Sequence, residues 1–212
     1  LNHTVAIPGQ PWKYDPNVTY EQSWARAIAI YGHFSSLKEN QHFDCSCFAK
    51  VPPFMASSKN TDIIRYADVL LWKAEALIEL GRSDEALPLI NQIRKRASLS
   101  TSMLKNANGN PTSNYNIEEY VPGVNCTWDQ SFARNALRFE RRLEFAMEGV
   151  RFFDLVRWGV AADYINDYFQ SESSKRDYLN GGHFTSAKHE YFPIPQQQID
   201  FSNGLYEQNT GW

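Results

Sequence analysis

Residues 64–97 carry two stretches of apolar side chains at helical spacing, separated by a glycine. In the first stretch apolar residues recur every three or four positions, at Ile64, Ala67, Leu70, Leu71, Ala74, Leu77 and Ile78. This spacing predicts an amphipathic helix that begins after an N-cap at Asp62. Gly81 can adopt the left-handed conformation that ends a helix, so we expect the first helix to stop there.

A second amphipathic helix is predicted directly after Gly81, with Ser83 as its N-cap. Pro88 lies early in this helix, where it removes few backbone hydrogen bonds. Because the connection is short, the two helices must be antiparallel neighbours. The spacing from Gly81 to Ala86 is also that of the turn in a tetratricopeptide repeat. The predicted apolar face consists of Ala86, Leu87, Ile90, Ile93 and Ala97.

Another helical hairpin is predicted after a long polar loop at residues 98–128. Gly149 would separate its two helices, and the second would begin near Phe152. The fold class is therefore predicted to be mainly α, with tetratricopeptide-like helical hairpins and long irregular loops. Two hairpins alone would leave apolar ends open, so further repeats or a covering domain are expected. The first helix would be lined by Phe132, Ala136, Phe139, Leu143 and Ala146.

Both ends of the chain are predicted to be largely irregular. In the first 60 residues, only Tyr20 to Leu37 has a helical stripe, and Pro52-Pro53 predicts extended backbone. After about Tyr168 the chain turns polar again. The aromatic and proline residues at 191–195 predict a tail whose aromatic side chains fix it to the helices.

Charge and hydropathy exclude several classes of protein. The net charge of -3 and the lack of a basic tract predict no nucleic-acid partner. Hydrophobic residues make up 42% of the chain, which is too many for a disordered protein. The sequence predicts no signal peptide and no apolar run long enough to cross a bilayer, so we expect either a cytosolic protein or a fragment whose start has been removed.

The three cysteines predict free thiols. Cys45 and Cys47 are too close in sequence for an unstrained disulfide, and Cys126 is far from both. His42 lies near the pair, but fewer than four metal ligands are in view, so no metal site is predicted.

Three carboxylates, Glu140, Glu144 and Glu148, step by four residues and would share one helix face. Such a ladder could hold a metal or perform acid–base chemistry. However, every histidine lies outside the helical hairpins, and several arginines nearby in sequence can neutralise the ladder. Ion pairs that stabilise the hairpin are the better interpretation. No catalytic motif is present, so we predict no enzyme and no cofactor. The neighbouring arginines are Arg138, Arg141, Arg142 and Arg151.

Four stretches in order resemble the C-terminal half of the SusD/RagB family. The most specific is ERRLEF at 140–145 with EGVRFFDLVRWG at 148–159. The others are IRYADVLL at 64–71 leading to Gly81, NQIRKRA at 91–97, and YFPIP at 191–195 with the closing residues 205–211. The resemblance covers about residues 62–212. It departs from the family pattern at Trp212, where Tyr is usual, at Ile199-Asp200, which lacks the usual Glu before it, and at Ser202-Asn203, which replaces Asn-Pro.

The resemblance implies a cell-surface protein of the bacterial outer membrane that captures oligosaccharides or polysaccharides, or in some cases peptides. Family members are lipoproteins that deliver nutrients to a SusC-like TonB-dependent transporter. The lipid-bearing cysteine would lie upstream, so none of the cysteines of this chain is that anchor. Residues 61–212 would form the C-terminal helical region, and residues 1–60 an aromatic-rich part of the ligand-binding region. The resemblance also implies structural roles for the charges of Glu140, Arg141, Glu148, Arg151, Asp154 and Arg157.

Ligand contacts in such proteins come from aromatic rings that stack on sugars, so we expect them in the irregular parts of the chain. Packing in the core is the competing interpretation for each candidate, and Trp128 could instead act as a hydrophobic staple. Two other functions stay open, a tetratricopeptide-type protein adaptor and, less favoured, a glycosidase. The candidates are Trp12, Tyr14, Trp24, Tyr115, Tyr120 and Trp128.

Overall fold

The computed structural model describes residues 2–42, 44–51 and 54–212, which form two compact units, 1–148 and 149–212. The predicted extended backbone at Pro52-Pro53 lies outside the described residues. Within them, the strands are short and form antiparallel pairs, β1 with β4, β2 with β3, and β5 with β6. The strands are β1 (Val5–Ala6), β2 (Pro11–Trp12), β3 (Asp15–Thr19), β4 (Ser35–Ser36), β5 (Phe48–Val51) and β6 (Phe54–Ser57).

Helices make up most of the regular structure, as predicted. The first unit contains α1 (Ile28–Tyr31), α2 (Tyr66–Glu79), α3 (Ser83–Leu99) and α4 (Gln130–Glu144). The second contains α5 (Arg151–Arg157), α6 (Ala161–Glu172) and α7 (Gln196–Phe201). None of the helices in the described part of the chain is long and apolar enough to cross a membrane.

The predicted hairpin of α2 and α3 is confirmed. Gly81 has a φ of +76°, and Arg82 N donates to Leu77 O at 2.8 Å, so the left-handed glycine closes the end of α2. Side chains from both helices are fully buried along the contact, which provides the main apolar core of the first unit. They include Leu71, Ala74, Ile78, Ala86 and Ile90.

Both predicted N-caps are wrong. Helix α2 begins at Tyr66, so Arg65 rather than Asp62 is its N-cap, and the Asp68 carboxylate in the first turn accepts from Arg65 N at 3.3 Å. Ile64 lies before the helix and is 59% exposed. Ser83 is the first residue of α3 rather than its cap, and its buried hydroxyl makes no hydrogen bond.

The predicted helical stripe from Tyr20 to Leu37 is also wrong. This segment contains only a 3-10 turn at Gln22–Trp24 and the four-residue helix α1. Tyr20 and Leu37 are instead buried with Ala6 in a small core, because pairing of β1 with β4 draws this segment into an extended path.

Helix α4 buries only part of the predicted face, which includes Ala136. Phe139 and Leu143 are 51% and 50% exposed. Glu140 and Arg141 are buried, because ion pairs from other elements compensate their charges, and apolar periodicity does not detect this. The buried residues of α4 are Ala133, Ala136, Leu137, Glu140 and Arg141.

The cysteine prediction is half right. Cys45 and Cys47 form a disulfide, whereas Cys126 is a free thiol. The Cα atoms of the bonded pair are 5.1 Å apart, within the normal range, so a separation of two residues does not prevent bonding.

The second unit begins at Gly149, which has a φ of +79° and separates α4 from α5 as predicted. Leu155, Ala161 and Phe184 form its core. The tail is held by the Gln208 side chain, which bonds both N and O of Ile194 at 2.8 and 2.9 Å. The prediction that aromatic side chains fix this tail is wrong, since Tyr191 and Phe192 are 64% and 88% exposed.

Candidate ligand-binding surface

Two of the candidate aromatics lie together in the N-terminal segment, around a buried tyrosine. Trp12 stacks on Tyr20, with ring centroids 5.9 Å apart and an interplanar angle of 24°. Trp24 meets the edges of both rings at 5.6 and 5.5 Å. Tyr20 is 2% exposed and its hydroxyl bonds that of Ser35 at 2.9 Å, whereas Trp24 is 48% exposed. The buried Tyr20 ring therefore forms the base of the cluster, and the Trp24 indole is exposed.

Tyr14 lies on the β2–β3 hairpin, next to Lys13, which has a φ of +57°. Its ring stacks on His42 at 5.9 Å and 23°, and it meets His3 at the same distance in a tilted arrangement. His3 is itself held by a bond of 2.8 Å between Nε2 and Ser100 O. Tyr14 is 58% exposed, so the anchored imidazole of His3 and the ring of His42 support a ring that still faces solvent.

Tyr115 joins this region from the loop between α3 and α4. Its hydroxyl donates to Asn2 Oδ1 at 3.3 Å, and it is 43% exposed. Asn2 is buried, and its amide donates to the carbonyl and hydroxyl oxygens of Thr112 at 3.1 and 3.2 Å. Tyr115 and Tyr14 therefore contact consecutive residues, Asn2 and His3.

Tyr120 and Trp128 pack on the helices instead. Arg94 covers the Tyr120 ring at 4.3 Å, and the Asn91 side chain bonds both N and O of Tyr120. Burial raises the pKa of Tyr120. Trp128 lies 5.6 Å from Tyr120 and donates from Nε1 to Ser83 O at 2.9 Å. These contacts occupy both rings and favour the packing interpretation.

The structure thus divides the six candidates into two groups. Tyr14, Trp24 and Tyr115 are exposed on supported backbone, with Trp12 half-buried beneath Trp24. Sequence reasoning missed His3 and His42, because no motif marks a histidine whose ring contacts a tyrosine distant in sequence.

The prediction that the three carboxylates share one helix face is wrong, because α4 ends at Glu144 and Glu148 lies beyond it. The cations that pair with them come from outside α4. Glu140 pairs with Arg94 at 2.9 Å. Glu144 pairs with Arg65 at 2.9 Å and also with Arg96. Glu148 pairs with Arg65 at 2.8 Å and also with Lys38. Sequence reasoning missed these four cations, because they are distant from the ladder along the chain.

Burial and ion pairing act in opposite directions on two of these carboxyl groups. Burial raises the pKa of Glu140, and its bond to Arg94 offsets this only in part. For Glu148, burial acts the same way, but the bonds from Arg65 and Lys38 outweigh it and hold the pKa below its usual value. The described residues contain no group of three or more metal-binding side chains placed to hold an ion.

The remaining predicted structural charges also have close partners. Arg141 lies 3.6 Å from Asp68 and 4.8 Å from the Phe145 ring centroid. In the second unit, Arg157 pairs with Asp154 at 2.9 Å, and Arg151 lies over the Trp158 ring. These contacts support a structural role for each of the six charges.

Comparison with known proteins decides the family. The model of the SusD family matches residues 49–212. The chain belongs to the SusD family. A SusD homolog from Bacteroides thetaiotaomicron is 33% identical in a solved structure, with a TM-score of 0.56 over 74% of this chain and 28% of that one. This likeness agrees with the predicted mainly helical fold.

Two SusD-like proteins of Formosa agariphila are also similar. One is 38% identical over 104 residues, which is 49% of this chain and 18% of that protein. The other is 29% identical over 162 residues, which is 74% of this chain and 25% of that protein. The matched part of this SusD-family chain therefore spans about a quarter or less of these relatives.

Proposed function

We propose that this chain is part of a cell-surface protein that captures glycans and delivers them to a SusC-like TonB-dependent transporter. The observation that carries the proposal is the group of exposed rings of Tyr14, Trp24 and Tyr115, each supported by ordered neighbours. A lipid anchor on the bacterial outer membrane, upstream of this sequence, belongs to the same proposal. Membership of the SusD family supports it.

The chemistry of these rings suits a saccharide. A sugar ring has an apolar face of C–H groups that packs on an aromatic ring, and hydroxyl groups around its edge that need hydrogen-bond partners. Trp24 and Tyr14 offer exposed ring faces, and His3 and His42 lie beside Tyr14 as polar neighbours. Because Tyr20 and Asn2 fix the underlying backbone, little conformational entropy is lost when a ligand binds.

The first test is binding to a panel of polysaccharides, oligosaccharides and peptides, measured by calorimetry on the full-length protein. Removal of the Trp24 ring in Trp24→Ala should weaken saccharide binding about tenfold or more, because the stacking surface is lost. Trp212→Ala is the matched control, since Trp212 lies in the second unit and is 46% exposed against 48% for Trp24.

Three results would contradict the proposal. The first is a lack of binding to every saccharide on the panel, and the second is an equal loss of affinity in both variants. The third is release of reducing sugar that a single carboxylate substitution abolishes, which would indicate a glycosidase. A transporter recovered by affinity purification, without saccharide binding, would favour the adaptor hypothesis instead.

A further inference from the structure

Lys38 connects the aromatic-rich segment to the end of helix α4. Its ammonium group donates to the Glu148 carboxylate and to the backbone carbonyl of Glu144. The two side chains of the ion pair are 20% and 15% exposed, so solvent screens it less than a surface pair. This contact joins residues that are 110 positions apart in the sequence.

Leu37, the residue before Lys38, belongs to the buried base of the aromatic cluster. Leu37 is 2% exposed and packs in one core with Ala6 and Tyr20. Its N–H donates to Thr4 O at 2.9 Å, and its carbonyl accepts from the Lys13 ammonium. One peptide bond therefore separates the support of the aromatic rings from the ion pair with Glu148, which lies four residues beyond the end of α4.

The scaffold does not need Lys38 to keep its carboxylates paired. Arg65 binds Glu148 through two hydrogen bonds, from Nε at 3.0 Å and Nη2 at 2.8 Å. It also binds Glu144 at 2.9 Å, and Arg96 pairs with that same carboxylate. Without Lys38, two cations and two carboxylates remain in contact, so no buried charge is left alone.

We propose that Lys38 is a positioning residue, whose ion pair with Glu148 holds Leu37 and the rings above it in place for a ligand that Lys38 never touches. Measuring this role through ligand affinity rests on the proposed function. Measuring it through the exchange of backbone amides in the N-terminal segment is independent of any ligand.

The test compares three variants of the full-length protein by hydrogen–deuterium exchange and by saccharide titration. Lys38→Met removes the ion pair and keeps the aliphatic stem. Lys38→Arg keeps the charge and should behave like the native protein. Arg96→Met is the matched control, because it also removes one cation from this cluster but contacts Glu144 rather than the aromatic segment.

Lys38→Met should speed exchange at the amides of Tyr20 and Leu37 about tenfold, because local opening becomes easier. It should weaken saccharide binding by a similar factor and leave exchange in α2 and α3 unchanged. Unchanged exchange at Tyr20 and Leu37 in Lys38→Met, or equal acceleration in Arg96→Met, would overturn the inference. Saccharide binding that is lost in Trp24→Ala yet intact in Lys38→Met would also overturn it.

The two proposals fail in different ways. If the native protein binds no saccharide, the proposed function is contradicted, and the exchange rates still decide the role of Lys38. If binding depends on Trp24 while the exchange of Tyr20 and Leu37 is insensitive to Lys38, only the positioning role is wrong.

Discussion

At the residue scale, Arg94 connects the helices to the long loop. Its guanidinium group donates to Glu140 at 2.9 Å and to the Glu118 carbonyl at 2.6 Å, and it covers the Tyr120 ring. The Glu140 side chain is only 5% exposed. A carboxylate at that depth is stable when charged only if a cation stays beside it.

Arg94→Met is therefore expected to destabilise the protein by about 3 kcal/mol, because it leaves the Glu140 carboxylate buried and unpaired. Urea denaturation measures the loss. Arg134→Met, which breaks the exposed pair with Glu79, is the control and should cost about 0.5 kcal/mol. The double variant Arg94→Met with Glu140→Met should recover much of the loss, and a double variant no more stable than Arg94→Met contradicts this explanation.

The stability of Arg94→Met should depend on pH in a direction that the pKa of Glu140 determines. Burial raises the pKa of Glu140 already in the native protein, so the folded state binds the proton more readily than the unfolded state does. Without Arg94 the pKa rises further. The free energy of unfolding of Arg94→Met should therefore increase, relative to the native protein, as the pH falls from neutral toward the ordinary pKa of Glu.

At the scale of elements, the α2–α3 hairpin shows what local pattern can predict. Apolar spacing located both helices, and Gly81 located the turn between them, because each signal depends only on nearby residues. The exact starts of the helices were wrong. Asp68 accepts from Arg65 N within the first turn of α2, and Ser83 is the first residue of α3 rather than its cap.

Gly81→Ala should lower the free energy of unfolding by about 1 kcal/mol, because its φ of +76° strains any residue with a Cβ. No atom lies within 4 Å of the added methyl group, so the loss would come from backbone conformation rather than from a clash. Thermal or urea unfolding measures it. Gly81→Asn should lose less, since Asn tolerates this conformation better. Equal stability of Gly81→Ala and the native protein would show that the turn rearranges freely.

Elements shaped by distant contacts could not be predicted in the same way. The buried face of α4 was misplaced, because Glu140 is buried only in the presence of Arg94, 46 positions away. Tyr20 and Leu37 were assigned to a helix, because their pairing with Ala6 depends on strands of two residues. The same limit applies to the ligand surface. Six candidate aromatic residues could be identified from the sequence, but the contacts of His3 and His42 with Tyr14 could not be predicted.

At the scale of the whole molecule, the proposed ligand surface lies only partly in the region that matches the family, which includes Tyr115. The family model matches residues 49–212, whereas Tyr14 and Trp24 precede that region. We propose that the helices provide the scaffold and that the irregular segments contact the ligand. The predicted boundary at residue 60 remains a prediction, while the two compact units divide at Gly149.

The central claim is that a saccharide binds to the surface around Tyr14, Trp24 and Tyr115. Hydrogen–deuterium exchange of the full-length protein, with and without a saturating oligosaccharide, tests it most directly. We predict slower exchange in residues 9–24 and around Tyr115, and no change in α2, α3 or the second unit. Protection confined to the second unit, or no protection at saturation, would contradict the claim.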